Sequence, residues 1–221
     1  MYEYTLDING DDILLNPNNG YQVMMEWERQ YMVDLVKKLN PSGKVLEIGF
    51  GLGISATEIQ KYDIESHTII EYDETVLKRL KEWAPKQKNK VNIVEGKWQH
   101  VLKNLGKFDS IFSDDSPDHV NDELELRGYT LFYDILRNHA NVGCRYTHYL
   151  SEFTFAIVNP CISYDVDIKK YNIPDHCKYT NGREMYLPLI TFKMGTVFLL
   201  NEVSMDKNLK THNKLFSIDP P

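Results

Sequence analysis

The run Lys44-Val45-Leu46-Glu47-Ile48-Gly49-Phe50-Gly51-Leu52-Gly53-Ile54-Ser55 decides the fold. Residues 45–48 form a short apolar stretch suited to a buried strand, and residues 54–60 read as helix. Three glycines at alternate positions join them, where the missing Cβ lets the backbone turn sharply and approach a ligand. Open α/β sheets bind ligands outside the carboxyl ends of their strands, so this loop marks the functional side.

The alternation continues outward. Residues 67–71 predict the next strand, and Asp73 is placed to cap a helix that runs through Trp83 and ends at Pro85. Residues 91–94 predict a third strand, 98–105 a short helix, 108–113 a fourth strand, about 124–139 a helix and 145–150 a fifth strand. Such an order implies a doubly wound, mostly parallel α/β sheet with helices on both faces. Upstream, residues 1–20 are rich in Asn, Gly and Asp and read as an irregular lead-in. Val23, Trp27, Tyr31, Leu35 and Leu39 recur every four residues and predict an amphipathic helix over 22–39, stopped by Asn40-Pro41-Ser42-Gly43. Beyond Ser151, residues 164–168 and 196–201 predict strands, the second antiparallel at the sheet's end. No linker or repeat splits the 221 residues, so one domain is expected.

Composition narrows the partners. With 42% hydrophobic and 26% charged residues the chain is globular, and its net charge is −7. The one basic stretch, 78–90, is interrupted by Glu82 and reads as a solvated helix face and its exit loop, so nucleic acid is not an expected partner and a small cation is easier to accept. No apolar run approaches the roughly 20 residues that cross a bilayer, and the N-terminus lacks the order of a secretory signal, so the expected location is the cytoplasm. Cys144, Cys161 and Cys177 are far apart and give neither a disulfide framework nor a zinc site.

Glu71 ends the second predicted strand at about the spacing of a carboxylate that accepts from both hydroxyls of a ribose. A dinucleotide fingerprint would need a third glycine at Ile54, so that pattern fails. A glycine turn without a ligand is the plainer alternative. Gly96-Lys97-Trp98-Gln99 follows the third strand, where an indole can stack on a base; taken alone, Trp98 reads as core. Asp114 follows the fourth strand, and Glu28 lies among aromatics in Met25-Glu26-Trp27-Glu28. A cap and a wet helix face are their ordinary explanations.

The spacing E-x-G-x-G-x-G resembles motif I of class I methyltransferases, and the chain more particularly resembles the guanidinoacetate N-methyltransferases and related arginine N-methyltransferases. The carrying stretches are VMMEWERQYM (23–32), KVLEIGFGLGISATEIQ (44–60), IIEYDETVLKRLKEWAPKQKNKV (69–91), EGKWQHV (95–101), FDSIFSDDSP (108–117), FYDILRNHA (132–140) and CKYTNGREMYLPLITFK (177–193). The resemblance implies a Rossmann-like seven-stranded sheet with an N-terminal helical lid over 1–40, a cofactor-binding core over 44–150 and a substrate-side region over 151–221. It implies S-adenosylmethionine as cofactor, held by Glu47, Gly49, Phe50, Gly51, Gly53, Glu71, Tyr72, Gly96, Lys97, Trp98 and Asp114. It places Met25, Trp27, Glu28, Asp114, Asp115 and Ser116 on the acceptor side, with no metal ligand. Glu28 and Asp114 match the two carboxylates that hold the substrate's guanidinium, with Asp114 the candidate base and Glu28 chiefly positioning.

The chemistry suits those acids, because a guanidinium is planar and pairs bidentately with carboxylates. Its pKa of about 12.5 or more makes its nitrogens poor nucleophiles until a proton is taken. The implied substrate is a small guanidino compound such as guanidinoacetate or an arginine derivative, or a short peptide, for a monomer or homodimer that meets neither nucleic acid nor membrane. Where the family has D-T-Y-P, this chain has Asp114-Asp115-Ser116-Pro117, which removes a ring from the wall and adds a carboxylate. The usual L-x-P-G-G turn before the fifth strand is also missing, and residues 151–176 do not align. Two other readings stand beside this one: a metal-dependent O-methyltransferase using Asp114, Asp115, Asp118 and His119, and a cofactor-binding protein without catalysis.

Overall fold

The computed structural model describes residues 1–115, 131–132, 134–151, 162–180 and 182–193. The Asn- and Gly-rich start is not an irregular lead-in but a three-stranded antiparallel sheet of β1 (Glu3–Leu6), β2 (Asp12–Asn16) and β3 (Tyr21–Met25). Its turn residues do local work. Asp7 accepts from the backbone N–H groups of Asn9 and Asp11, and Asn16 accepts from those of Asn18 and Gly20, which closes the two hairpins. The helix expected from residue 22 therefore starts later. β3 gives way to a single 3-10 turn, Glu26–Glu28, and then to α1 (Arg29–Leu39), whose Tyr31, Met32, Leu35, Val36 and Leu39 are buried.

The second sheet has seven strands: β4 (Gly43–Ile48), β5 (Ile64–Glu71), β6 (Val91–Glu95), β7 (Phe108–Ser113), β8 (Ala140–His148), β9 (Ile162–Lys170) and β10 (Glu184–Phe192). Their order is β6-β5-β4-β7-β8-β10-β9. The first five are parallel, and β10 runs antiparallel to both neighbours. Between them lie α2 (Ile54–Ile59), α3 (Glu74–Trp83) and α4 (Trp98–Val101), with the Asp73 carboxylate accepting from Thr75 and Val76 to cap α3 as the sequence predicts. Val45 and Ile69 pack on one face of the sheet, toward α1, α2 and α3, while Leu46, Ile48 and Ile70 pack on the other. Burial on both faces explains why these strands read as continuous apolar runs. Among the described residues no helix is long and apolar enough to cross a membrane.

The C-terminal half departs from the sequence reading. β8 starts at Ala140 rather than 145, because Phe108 pairs with Ala140 while Ser110 pairs with Arg145 and the residues between bulge out. β10 is a strand despite Pro188, a residue that argues against a central strand. Pro188 has no N–H to give β8, and the contact there is made instead by the Thr147 hydroxyl, which donates to the Pro188 carbonyl at 2.6 Å. Leu131, Phe132 and Asp134 are helical and lead into a wide turn, Ile135–His139. The rest of that predicted helix and the strand predicted over 196–201 lie outside the described residues.

Candidate active site

The chain leaves β4, builds β5 and β6 on one side, and returns to build β7 on the other. A crevice opens where that order reverses, above the carboxyl ends of β4 and β7. The glycine loop sits there. Gly49 and Gly51 have φ of 86° and 51°, in the left-handed region that favours glycine. Their open sides face protein rather than ligand. A Cβ on Gly49 would lie 2.1 Å from the Asp114 carbonyl oxygen, and one on Gly51 would lie 2.6 Å from Met24 Sδ. The first sheet clasps the same loop, since the Tyr4 hydroxyl donates to the Gly51 carbonyl at 2.7 Å and the Leu52 N–H points at Met24 Sδ at 3.2 Å.

A cavity of about 410 Å³ lies between the two sheets. Glu28, Gly49, Phe50, Gly51, Glu71, Tyr72, Gly96, Trp98, Asp114 and Asp115 line it, so most of the residues singled out in the sequence meet in one place. At one end Glu71 is buried and its carboxylate ties two loops together. Oε2 accepts from the Phe50 N–H at 3.1 Å, and Oε1 from Tyr72 and Asp73 at 2.7 and 2.9 Å. Burial pushes its pKa up, against the pull of those three donors. Trp98 is buried and donates its indole N–H to Asp115 at 2.5 Å.

Five expected contacts sit elsewhere. Glu47 is fully buried behind the loop, where the Ser55 hydroxyl donates to Oε1 at 2.5 Å and His67 Nε2 lies 2.9 Å from Oε2, although the ring N–H does not point along the line to it. Gly53 begins α2 behind the lining. Lys97 lies over the Tyr72 ring, 5.5 Å from its centre. Met25 packs with Ile13 and Cys177, and Trp27 stacks on Tyr179 at 6.2 Å. These two shape the wall from behind. Ser116, with Asp118 and His119 of the metal reading, lies outside the described residues.

At the other end of the cavity are Glu28 and Asp114. Glu28 is 2% exposed. Its Oε1 accepts from the Met25 N–H at 2.9 Å and from the Tyr179 hydroxyl at 2.6 Å, and among the described residues nothing donates to Oε2. Asp114 is fixed by its backbone N–H, which donates to the Ile48 carbonyl at 2.9 Å, while its carboxylate takes no hydrogen bond from the described residues. Both acids titrate above the usual carboxylate range: burial raises Glu28, and Asp114 adds to it; burial raises Asp114, with Asp115 and Glu47 adding to it. The charge of Asp114 on Glu28 makes their titrations interdependent.

Residue-by-residue reading missed several wall residues, among them Gln22, Met24, Ser55, Tyr149 and Tyr179. For Tyr179 a signal existed, because it lies inside the C-terminal stretch that resembles the family. Among the described residues that line the cavity there is no Lys, Arg or His.

A family model described as guanidinoacetate N-methyltransferase matches residues 7–156. The chain is similar to protein arginine N-methyltransferase 2 of Candida glabrata, 40% identical over 136 residues that cover 57% of this chain and 32% of that protein. The Saccharomyces cerevisiae protein of the same name is 38% identical over 127 residues, covering 52% of this chain and 31% of that protein. The chain therefore spans about a third of the length of these relatives. Spermidine synthase from Thermotoga maritima superposes with a TM-score of 0.55 at 15% identity, over 98% of this chain and 84% of that one. A precorrin-6y C5,15-methyltransferase from Geobacter metallireducens gives 0.50 at 13%, over 74% and 88%. The fold is the Rossmann-like one of class I methyltransferases, with a mixed seven-stranded sheet.

Proposed function

Because the chain belongs to the guanidinoacetate N-methyltransferase family, we propose that it transfers a methyl group from S-adenosylmethionine to a nitrogen of a small guanidino compound, such as guanidinoacetate or an arginine derivative. The observation that carries this reading is the pair of acids at one end of the cavity, Glu28 and Asp114, whose cavity-facing oxygens take no hydrogen bond from the described residues.

The lining fits the cofactor. Glu71 has three donors on a carboxylate that offers about four acceptor sites, so it retains one for a ribose hydroxyl. Tyr72 and Trp98 offer ring surface to a flat base, and the Gly51 N–H in the loop finds no partner among the described residues. The cofactor supplies a methyl group on a cationic sulfur, an electrophile whose leaving group is a neutral thioether. Everything else falls to this chain. Glu28 Oε2 and the Asp114 carboxylate hold the planar guanidinium through paired N–H···O bonds and fix which nitrogen faces the loop. Glu28 is immobilised by Met25 and Tyr179, which makes it a positioning group. Asp114 has no such tether, and its raised pKa suits it to take the proton that the attacking nitrogen sheds.

The test uses methyl-labelled S-adenosylmethionine and a panel of guanidines, a catechol and arginine peptides, with and without chelator, followed by mass spectrometry. Label on a guanidino nitrogen, lost in Glu28→Gln and Asp114→Asn, supports the assignment. Chelator-sensitive label on oxygen, or cofactor binding with no labelled acceptor, overturns it.

A further inference from the structure

The main chain that brings Tyr179 to Glu28 belongs to no strand or helix; it lies in the connection between β9 and β10. Side chains hold it instead, and most of them come from the first sheet. The buried Gln22 on β3 gives both ends of its amide to that connection. Its Nε2 donates to the His176 carbonyl at 3.0 Å, and its Oε1 accepts from the Lys178 N–H at 2.7 Å. Those two groups flank Cys177, and they are the pair that a residue of a neighbouring parallel strand would engage. One side chain thus does for Cys177 what a strand residue does in a sheet. The β2–β3 register skips Val23, and a bulge at that point re-aims the side chains beside it, Gln22 among them. Around this clamp, Cys177 packs on Ile13 and Met25, and His176 Nε2 lies 2.7 Å from the Asp7 carboxylate. Two residues beyond Cys177, the Tyr179 hydroxyl donates to Glu28 Oε1 at 2.6 Å.

We propose that Gln22 is a positioning residue for methyl transfer: by fixing the main chain on both sides of Cys177 it sets the Tyr179 hydroxyl on Glu28, and so holds that acid in the orientation the acceptor needs. The inference rests on the reading of Glu28 as an acceptor-holding group and adds the residue that aims it. Glu28 Oε1 has one donor from its own turn, the Met25 N–H at 2.9 Å. A carboxylate held by a single bond can rotate about it, whereas a second donor from a distant part of the chain fixes which oxygen faces the acceptor. Tyr179 is such a donor only while its backbone is held, and no ladder holds it. Replacing Gln22 by the apolar Met of similar length keeps the bulk and removes both bonds. The connection then stays packed through Cys177 but is released by the few tenths of an ångström that separate a short hydrogen bond from a poor one. Among the described residues the ionisable groups that face Glu28 are Asp114, Tyr31, Tyr149 and Tyr179. Burial and then Asp114 raise the Glu28 pKa, and the Tyr179 bond draws it down.

Gln22→Met, Tyr179→Phe and the double variant test this, assayed with labelled S-adenosylmethionine and the guanidine that the wild-type protein methylates best. Each single variant should raise the acceptor KM by about threefold to tenfold and move the acidic limb of kcat/KM to higher pH, with cofactor affinity by calorimetry unchanged. The double variant should match Tyr179→Phe, since Gln22 acts only through that hydroxyl. Additive effects, or wild-type KM and pH profile in either single variant, overturn the inference and leave guanidino methylation standing. Loss of cofactor binding in both Gln22→Met and Gln22→Asn assigns the residue to the fold alone and overturns it too. A wild-type protein that labels no guanidine removes the parent reading, and this one with it.

Discussion

Two polar sets lie on opposite sides of the same glycine loop, one built round the enclosed Glu47 and one from Glu28 and Asp114, and they behave differently. Behind it, Glu47 is enclosed with Ser55 on one oxygen and His67 beside the other, and Gln60 lies 3.3 Å from the second ring nitrogen of that histidine. In front of it, Glu28 is buried and Asp114 half-buried, and one oxygen of the first and both of the second face the cavity without a hydrogen bond from the described residues. Burial of an acid alone says little about function, since protein interiors tolerate charge wherever partners are provided. What marks the front pair is that its unbonded oxygens face a cavity a ligand can enter, whereas the unbonded Oε2 of Glu47 is sealed behind the loop. The glycine motif contributes to both sets and distinguishes neither.

This contrast can be tested by crossing the two sets. The largest effect is expected from Asp114→Asn, which should lower kcat/KM for the acceptor by about 10² to 10⁴ while cofactor affinity, measured by calorimetry, stays close to wild type. Removing a member of the rear set should do the reverse. His67→Ala removes a fully buried ring beside Glu47 and leaves a cavity, which should cost roughly 2–4 kcal/mol in urea unfolding, with acceptor KM little changed in the folded fraction. A Gly49→Ala variant strains both sets, having a positive φ and a Cβ that collides with the Asp114 carbonyl, and should lose more than about 1 kcal/mol together with activity.

The smallest effect carries the most telling sign. The raised pKa values of Glu28 and Asp114 mean that the native protein keeps protons which the unfolded chain has shed above about pH 4. That contribution to stability is complete below the unfolded values and is lost as pH rises through the folded ones. Glu28→Gln should therefore stabilise the ligand-free protein by about 0.5–2 kcal/mol in melts near pH 8 and by almost nothing near pH 4. A rise in stability with pH at this site would mean that the two acids have partners after all.

How much of this could be read from the chain depends on how local each signal is. The strand–glycine loop–helix unit, Glu71 at the end of β5 and Asp73 at the start of α3 are fixed by neighbours within a few residues, and sequence spacing finds them. Glu28 and Asp114 were visible as acids in suggestive places, but their lack of partners is a property of the assembled cavity. Tyr179 bonds to Glu28 across 151 residues, a pairing that no periodicity contains. The first sheet was hidden for another reason. β1 is largely exposed and shows no alternation, so its turn residues were the only strong feature and read as loop. Glu47 stands in the motif as if it faced a ligand, and only the fold reveals that His67, twenty positions on, is its neighbour.

The crossing of backbones at Gly49 and Asp114 has a mechanical corollary. The Asp114 N–H is bonded to the Ile48 carbonyl, and its own carbonyl occupies the room a side chain on residue 49 would need, so the glycine loop and the acceptor acid are welded through main chain. Side-chain replacement cannot adjust the reach between them. The site is a vice with one fixed jaw. Adaptation to acceptors of different bulk is left to the side chains of the facing wall, Leu14 and Met24 with Tyr149 and Tyr179, and that is the wall to redesign for a new substrate.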